Sequence, residues 1–242
     1  MTEGRRRCRE ILISALAWAI GLCAFVPVGL MVLLFSRLAH PRRFAWLVKL
    51  GCRIIMSALL VRVSVEGRHR FKHDRTYLFV CNHVNIFDVF VLYGFIPNYF
   101  RGIEMDEHFD WFFYGRIIRR LGMIPISQTH ARSALKSLKV AEQAMAGGTS
   151  ILILPEGGRT LDGQFQPFKP GAFTLARRAG VDVVPMAMVG AFEIKRKGSL
   201  LIRPGRMTLR FGKPIAYKEI KALPVKEISM LVRGRMLELF NP

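Results

Sequence analysis

The stretch from Cys81 to Asp88, CNHVNIFD, sets a histidine and an aspartate five positions apart where an apolar run breaks off. An imidazole exchanges protons near neutral pH. A carboxylate bonded to one ring nitrogen fixes the tautomer, stabilises the imidazolium as it forms and leaves the other nitrogen free to act as a base. With His83 in a loop after a strand and Asp88 in the first turns of a helix, the carboxylate can reach back to the ring. Asn82 and Asn85 are candidates for capping that helix or orienting the loop. The same spacing also fits a capping histidine with an aspartate favoured by the helix dipole. Cys81 offers a nucleophilic thiol that could form a covalent intermediate, or the role of a core residue at the strand end.

A second stretch, LILPEGGRTLDGQ, begins at Leu152. An apolar run ends at Pro155, and Glu156, Gly157, Gly158 and Arg159 follow. Glycines let a backbone approach a ligand closely, and a guanidinium beside exposed N–H groups suits a phosphate. A glycine turn with a solvated arginine has the same composition. Lys169, in the FKPG stretch just downstream, adds a further basic loop.

Stepping outward, apolar periodicity sets these loops between regular elements. Val61–Glu66 alternates like a half-exposed strand; Tyr77–Cys81, Ser150–Leu154 and Val183–Val189 are continuous apolar strands; and Tyr99–Met105, Met123–Ile126 and Met207–Phe211 are shorter strand candidates. Helices are expected over Ile86–Phe95, Trp111–Leu121, His130–Ala146 (capped by Thr129 and stopped by Gly147-Gly148), Phe173–Ala179 and from about Pro224 to Phe240. Strand and helix alternate, which predicts an α/β domain with a largely parallel sheet, and α/β sheets place their sites in the loops at the carboxyl ends of strands.

The first sixty residues have a different texture. Ile11–Phe35 is 25 residues without a charge, about 37 Å as a helix and enough to cross a bilayer. It is too long for a signal peptide and has no small-residue cleavage site. Arg5, Arg6, Arg7 and Arg9 precede it and Arg37, Arg42 and Arg43 follow it. A single crossing would strand one basic cluster on the far side, against the positive-inside bias. Pro27 interrupts the run, so a segment that dips in and returns, or lies along one leaflet, is expected. In Pro41–Leu60, Arg42, Lys49 and Arg53 fall near one helical face with Trp46 beside them. That face meets either lipid headgroups or the protein's own domain. The boundary drawn is residues 1–60 as a membrane anchor and 61–242 as the catalytic domain.

The chain carries 37 Lys and Arg against 17 acidic residues, a formal charge of +20, and is 51% hydrophobic. Greasy and basic together point to an anionic lipid surface rather than nucleic acid, for which no motif is present. The four cysteines and six histidines show no metal-ligand spacing. Nor do the cysteines form a C-x-x-C pair, and they read as free thiols of a reducing compartment.

Taken in order, these stretches resemble the glycerolipid acyltransferase family typified by lysophosphatidic acid acyltransferases. Asn82, His83 and Asp88 meet its N-H-x-x-x-x-D block; Pro155 to Arg159 meet P-E-G-[TG]-R; Val184, Pro185 and Met186 meet V-P-[VM]; and FGKPI at Phe211 closes the pattern, over roughly residues 50 to 217. The resemblance implies a mixed, largely parallel sheet flanked by helices, with an N-terminal helical anchor. It implies that His83, paired with Asp88, is the general base on a lysophospholipid hydroxyl, most simply that of lysophosphatidic acid. The donor is acyl-CoA or acyl carrier protein, without a resident cofactor or metal. The implied substrate-binding set is Glu156, Gly157, Gly158 and Arg159, with Lys169. Membrane lipids are the implied partners, with the catalytic domain on the cytoplasmic face. In the remaining block, G-x-[IF]-x-[IV]-x-R, the chain has GMIPISQ, with Gln128 at the arginine's place and Arg132 one helical turn on as a substitute. Another lysolipid, an amino-acid lipid precursor, or lipid binding without catalysis are the alternatives.

Overall fold

The computed structural model describes residues 3–127 and 129–241. Two long helices, α1 (Glu3–Leu38) and α2 (Pro41–Ala58), lead into an α/β domain. That domain runs β1 (Val61–Glu66), β2 (Tyr77–Val80), α3 (Asp88–Phe95), β3 (Phe100–Met105), α4 (Tyr114–Arg120), β4 (Ile124–Ile126) and α5 (Ala131–Ala146). It continues with β5 (Ser150–Ile153), α6 (Pro170–Arg178), β6 (Asp182–Val189), α7 (Ala191–Ile194), β7 (Gly205–Phe211), α8 (Tyr217–Ile220) and α9 (Val225–Phe240).

The seven strands lie in the order β1-β7-β6-β2-β5-β3-β4, and only the β6–β7 pair is antiparallel. The expected mixed, largely parallel sheet is therefore present. β2 lies between β5 and β6 and is buried on both faces, which is why it reads as a continuous apolar run. Its side chains divide by the period of two. Tyr77, Phe79 and Cys81 join the core beneath α1, α2 and α3, and Leu78 and Val80 join the core beneath α5, α6 and α9. Five neighbouring strands (β6, β2, β5, β3 and β4) run the same way. The loops after all five thus open on one edge of the sheet.

Element boundaries shift where side chains intervene. α3 begins at Asp88, not Ile86, because Asn85 and Asp88 hold the preceding turn. A 3-10 turn over Asp106–Asp110 precedes α4, which starts at Tyr114 rather than Trp111. Thr129 does not cap α5: its hydroxyl bonds the His130 ring, and no side chain caps that helix.

The N-terminal helices depart further from expectation. Pro27 stands inside one continuous helix, and the chain reverses at Ala39-His40 instead. Ser14 accepts a hydrogen bond from the Ile202 N–H at 2.9 Å, Trp18 Nε1 donates to the Leu200 carbonyl at 2.8 Å, and the Phe25 ring meets Phe90 and Phe113 edge-on. α1 is thus laid along the α/β domain. Its outer side carries exposed Leu12, Leu16, Leu22, Leu30 and Leu34. α2 buries Phe44, Val48, Cys52, Ile55 and Met56 against the domain and leaves Trp46, Leu50 and Ile54 outside. Two of its basic residues reach back to the domain while Arg42 and Arg43 stay exposed. Lys49 Nζ bonds the Pro97 carbonyl, and Arg53 Nε donates to the Gly94 carbonyl at 2.8 Å. Cations at the carboxyl end of α3 satisfy carbonyls that no helix turn reaches. Burial lowers the Lys49 pKa to about 8. The exposed face shared by α1 and α2 is thus apolar along its middle, with exposed arginines toward the ends, and packing runs across the boundary drawn at residue 61.

Candidate active site

β2 delivers the chain to the carboxyl edge of the sheet, where Asn82 continues the strand with its side chain. Its amide donates to the Met188 carbonyl at 3.0 Å and accepts from the Met188 N–H at 2.7 Å. The two backbone groups of a strand residue point the same way, so one amide serves both. We expect Asn82→Leu to orphan both groups and to cost about 1–3 kcal/mol, read as a lower urea midpoint. An unchanged midpoint would show that Met188 finds other partners. Asn85 makes a second tie, donating to the Ala191 carbonyl at 2.7 Å and accepting from Phe87 N–H at 2.8 Å.

These ties fix the turn between His83 and Asp88. His83 Nδ1 lies 2.8 Å from Asp88 Oδ2. The same oxygen accepts from the Val84 N–H at 2.6 Å and the Asn85 N–H at 3.0 Å. Two fixed backbone donors hold the carboxylate in place, so His83 meets it with Nδ1–H and presents Nε2 as the free base. The Asp88 carboxylate is buried (1% exposed) while the imidazole is one quarter exposed, so the base faces solvent and its orienting partner does not.

The second loop is fastened to the first through His83 itself. Glu156 Oε1 accepts from the His83 N–H at 2.8 Å, and the Thr160 N–H donates to the His83 carbonyl at 3.0 Å. Glu156 Oε2 accepts from the Gln166 N–H at 2.9 Å. Glu156 therefore has both oxygens turned onto backbone groups within the protein. Burial, opposed in part by these bonds, raises its carboxyl pKa. Gly157 takes φ +68°, which only glycine adopts without strain, and closes a turn onto the Leu154 carbonyl. Thr160 and Asp162 knot the descending arm, with the Thr160 hydroxyl donating to Asp162 at 2.9 Å. Arg159 lies between these fastenings, half-buried, and has no side-chain hydrogen bond or ion pair with any described residue.

The other expected substrate-binding residues stand further out. Lys169 ties its backbone N–H to the Pro155 carbonyl at 2.6 Å, but its side chain is exposed. Arg132 is exposed in the first turn of α5, after β4. β4 lies two strands beyond β5, with β3 between them. Gln128 lies outside the described residues.

Cys81 is wholly buried, and burial raises its thiol pKa well above the usual range. A thiolate nucleophile needs the reverse environment. Cys81→Ala should keep wild-type turnover within a few-fold and lose about 1 kcal/mol of stability by denaturant melt. Complete inactivation of a folded variant would revive the covalent chemistry. Sequence reasoning also passed over Thr160, Gln166 and Lys195, none of which carries a local signal in so basic a chain.

Between α1, α2, α3 and α4 a small apolar cavity is lined by Phe25, Val28, Gly29, Val48, Cys52 and Phe90 among others.

A family model described as Acyltransferase matches residues 62–189. The chain is 29% identical over 206 residues to a 1-acyl-sn-glycerol-3-phosphate acyltransferase of Chlamydomonas reinhardtii, covering 84% of this chain and 62% of that one. It is 30% identical over 204 residues to the chloroplastic 1-acyl-sn-glycerol-3-phosphate acyltransferase BAT2 of Brassica napus, covering 81% and 58%. The chain thus spans about three fifths of the length of these curated relatives. Among solved structures it matches the crystal structure of the 1-acyl-sn-glycerophosphate (LPA) acyltransferase PlsC from Thermotoga maritima, with a TM-score of 0.81 and 24% identity over 97% of each chain. The two share a fold.

Proposed function

Since the chain belongs to the acyltransferase family, we propose that it is a membrane-bound O-acyltransferase that moves a fatty acyl group from a thioester donor to the hydroxyl of a lysophospholipid, with lysophosphatidic acid as the acceptor and phosphatidic acid as the product. The observation that carries the chemistry is the His83–Asp88 pair, held by three hydrogen bonds to one carboxylate oxygen.

His83 Nε2 takes the proton of the acceptor hydroxyl as its oxygen attacks the thioester carbonyl. The C–O bond forms, the C–S bond breaks and the imidazolium returns the proton to the departing thiolate, giving ester and free thiol. Asp88 keeps the ring oriented and compensates its transient charge. Positioned proton transfer of this kind contributes about 10²–10⁴ in rate. Arg159 holds the acceptor's phosphate, and the bridge from Glu156 and Thr160 to His83 fixes the distance between phosphate seat and base. The donor is acyl-CoA or acyl carrier protein, and no resident cofactor takes part.

The test is acyl transfer in detergent micelles, offering lysophosphatidic acid and lysophosphatidylethanolamine with acyl-CoA and, separately, acyl carrier protein. Formation of phosphatidic acid that needs His83 supports the reading. Release of free CoA alone, or no turnover, would overturn it.

The same reading extends to the membrane. α1 is the one helix among the described residues long and apolar enough to cross a bilayer, yet it is held along the domain from Ser14 to Val32. That is about 27 Å of helix, nearly the thickness of a hydrocarbon core, so the paired apolar faces of α1 and α2 sink into one leaflet instead. The catalytic domain sits on the cytoplasmic face, where the thioester donors are. Cysteines introduced at Gly4 and Arg70 should label from the same side of sealed vesicles. Labelling from opposite sides would rule out the one-sided anchor.

A further inference from the structure

α7 follows β6 at the same carboxyl edge and touches both loops of the site. Asn85 bonds its first residue, Ala191, and a Cβ at Gly163 would come within 3.1 Å of Phe192. Lys195 is the next residue after this helix. It is 6% exposed, and its ammonium donates to the Arg196 carbonyl at 2.9 Å. No described carboxylate lies within ion-pair distance of it, and the same holds for Arg159. The acids of the neighbouring loop are already engaged, Glu156 on backbone N–H groups and Asp162 on Thr160 and Gln164. Burial and then the nearby Arg159 charge lower the Lys195 pKa. A buried ammonium costs free energy unless an anion meets it. Here two cations without counter-ions among the described residues stand near one another at the carboxyl edge of the sheet, and the ammonium has donors to spare.

We infer that Lys195 is the second cation of the acceptor site, which together with Arg159 seats a doubly charged phosphate monoester and so selects monoester over diester lysolipids. The inference rests on the reading that Arg159 holds the acceptor's phosphate. Two cations match the two charges of a monoester, whereas a diester headgroup brings one and blocks an oxygen with its substituent. A phosphate monoester also occurs on the nucleotide part of acyl-CoA, so the experiment must separate the two sources.

The full chain in detergent is compared as wild type, Lys195→Met and Lys195→Arg. KM and kcat are measured for lysophosphatidic acid, for lysophosphatidylethanolamine and for the donor. Lys195→Met should raise KM for lysophosphatidic acid about tenfold or more, the effect of one lost charge-assisted hydrogen bond. The preference for monoester over diester should fall by a similar factor, and Lys195→Arg should recover part of it. Thermal melts with glycerol 3-phosphate and with glycerophosphoethanolamine supply a readout independent of turnover. The monoester should stabilise wild type more than the diester does, and that difference should vanish in a cooperatively melting Lys195→Met. An unchanged preference, an equal loss for both acceptors, or a rise confined to the KM of acyl-CoA would overturn the inference. If wild type acylates neither lysolipid, the functional reading fails and the melts alone decide: no stabilisation by the monoester would overturn the inference as well.

Discussion

His83→Ala should lower kcat for acyl transfer by about 10²–10⁴, the largest loss expected of any single substitution in this chain. The ring is one quarter exposed, and its neighbours are held without it. Asp88 keeps the Val84 and Asn85 N–H groups, and the loop keeps the bonds that Glu156 and Thr160 make to the backbone of residue 83. The variant should therefore melt close to wild type, with KM for the acceptor little changed, because phosphate seat and base are separate groups. Steady-state kinetics beside a thermal melt check both halves. A variant that keeps wild-type turnover would remove the imidazole from the mechanism, and with it the acyl-transfer reading.

Asp88→Asn separates charge from geometry. In most His–Asp pairs this change is ambiguous, since the new amide can turn its NH2 to the imidazole and impose the wrong tautomer. Here Oδ2 faces two backbone N–H groups as well as the ring, and Oδ1 has no hydrogen-bond partner. The amide oxygen must take the Oδ2 position and its nitrogen the empty side. His83 stays oriented, but no charge remains to balance the imidazolium. We expect kcat to fall by about 10²-fold or more, within the range that charge-assisted hydrogen bonds supply. Stability should fall by about 1–3 kcal/mol for the buried, unpaired NH2. Kinetics and urea denaturation of the variant measure the two effects separately. Activity near wild type would mean that Asp88 serves only to hold the turn.

Much of the site was legible before any coordinates. Continuous apolar runs of four to eight residues marked the buried strands, and a loop after a parallel strand opens on the carboxyl edge by topology. The types and spacing of His83 and Asp88, and the proline, glycines and arginine from Pro155 to Arg159, therefore pointed to one edge of one sheet. Asp88 at the start of α3 follows from a spacing of five, a property of a loop and one helical turn.

What remained open was settled by contacts between distant segments. Sequence placed Glu156 among substrate contacts, but folding turns both its oxygens onto backbone groups of residues 83 and 166. Pro27 looked like a break, yet it sits within a helix held along the domain. The basic face of α2 had two destinations, and the carboxyl end of α3 decided between them.

By itself, then, the sequence determined the α/β class, the greasy N-terminal helices and the chemistry available at one edge. Those follow from periodicity and residue type, which act over a few neighbouring positions. Only the tertiary structure decided which buried donor meets which acceptor, and so which charges remain unpaired. Satisfying a buried polar group is a long-range problem: its partner is chosen by packing, at separations such as the 73 residues between His83 and Glu156.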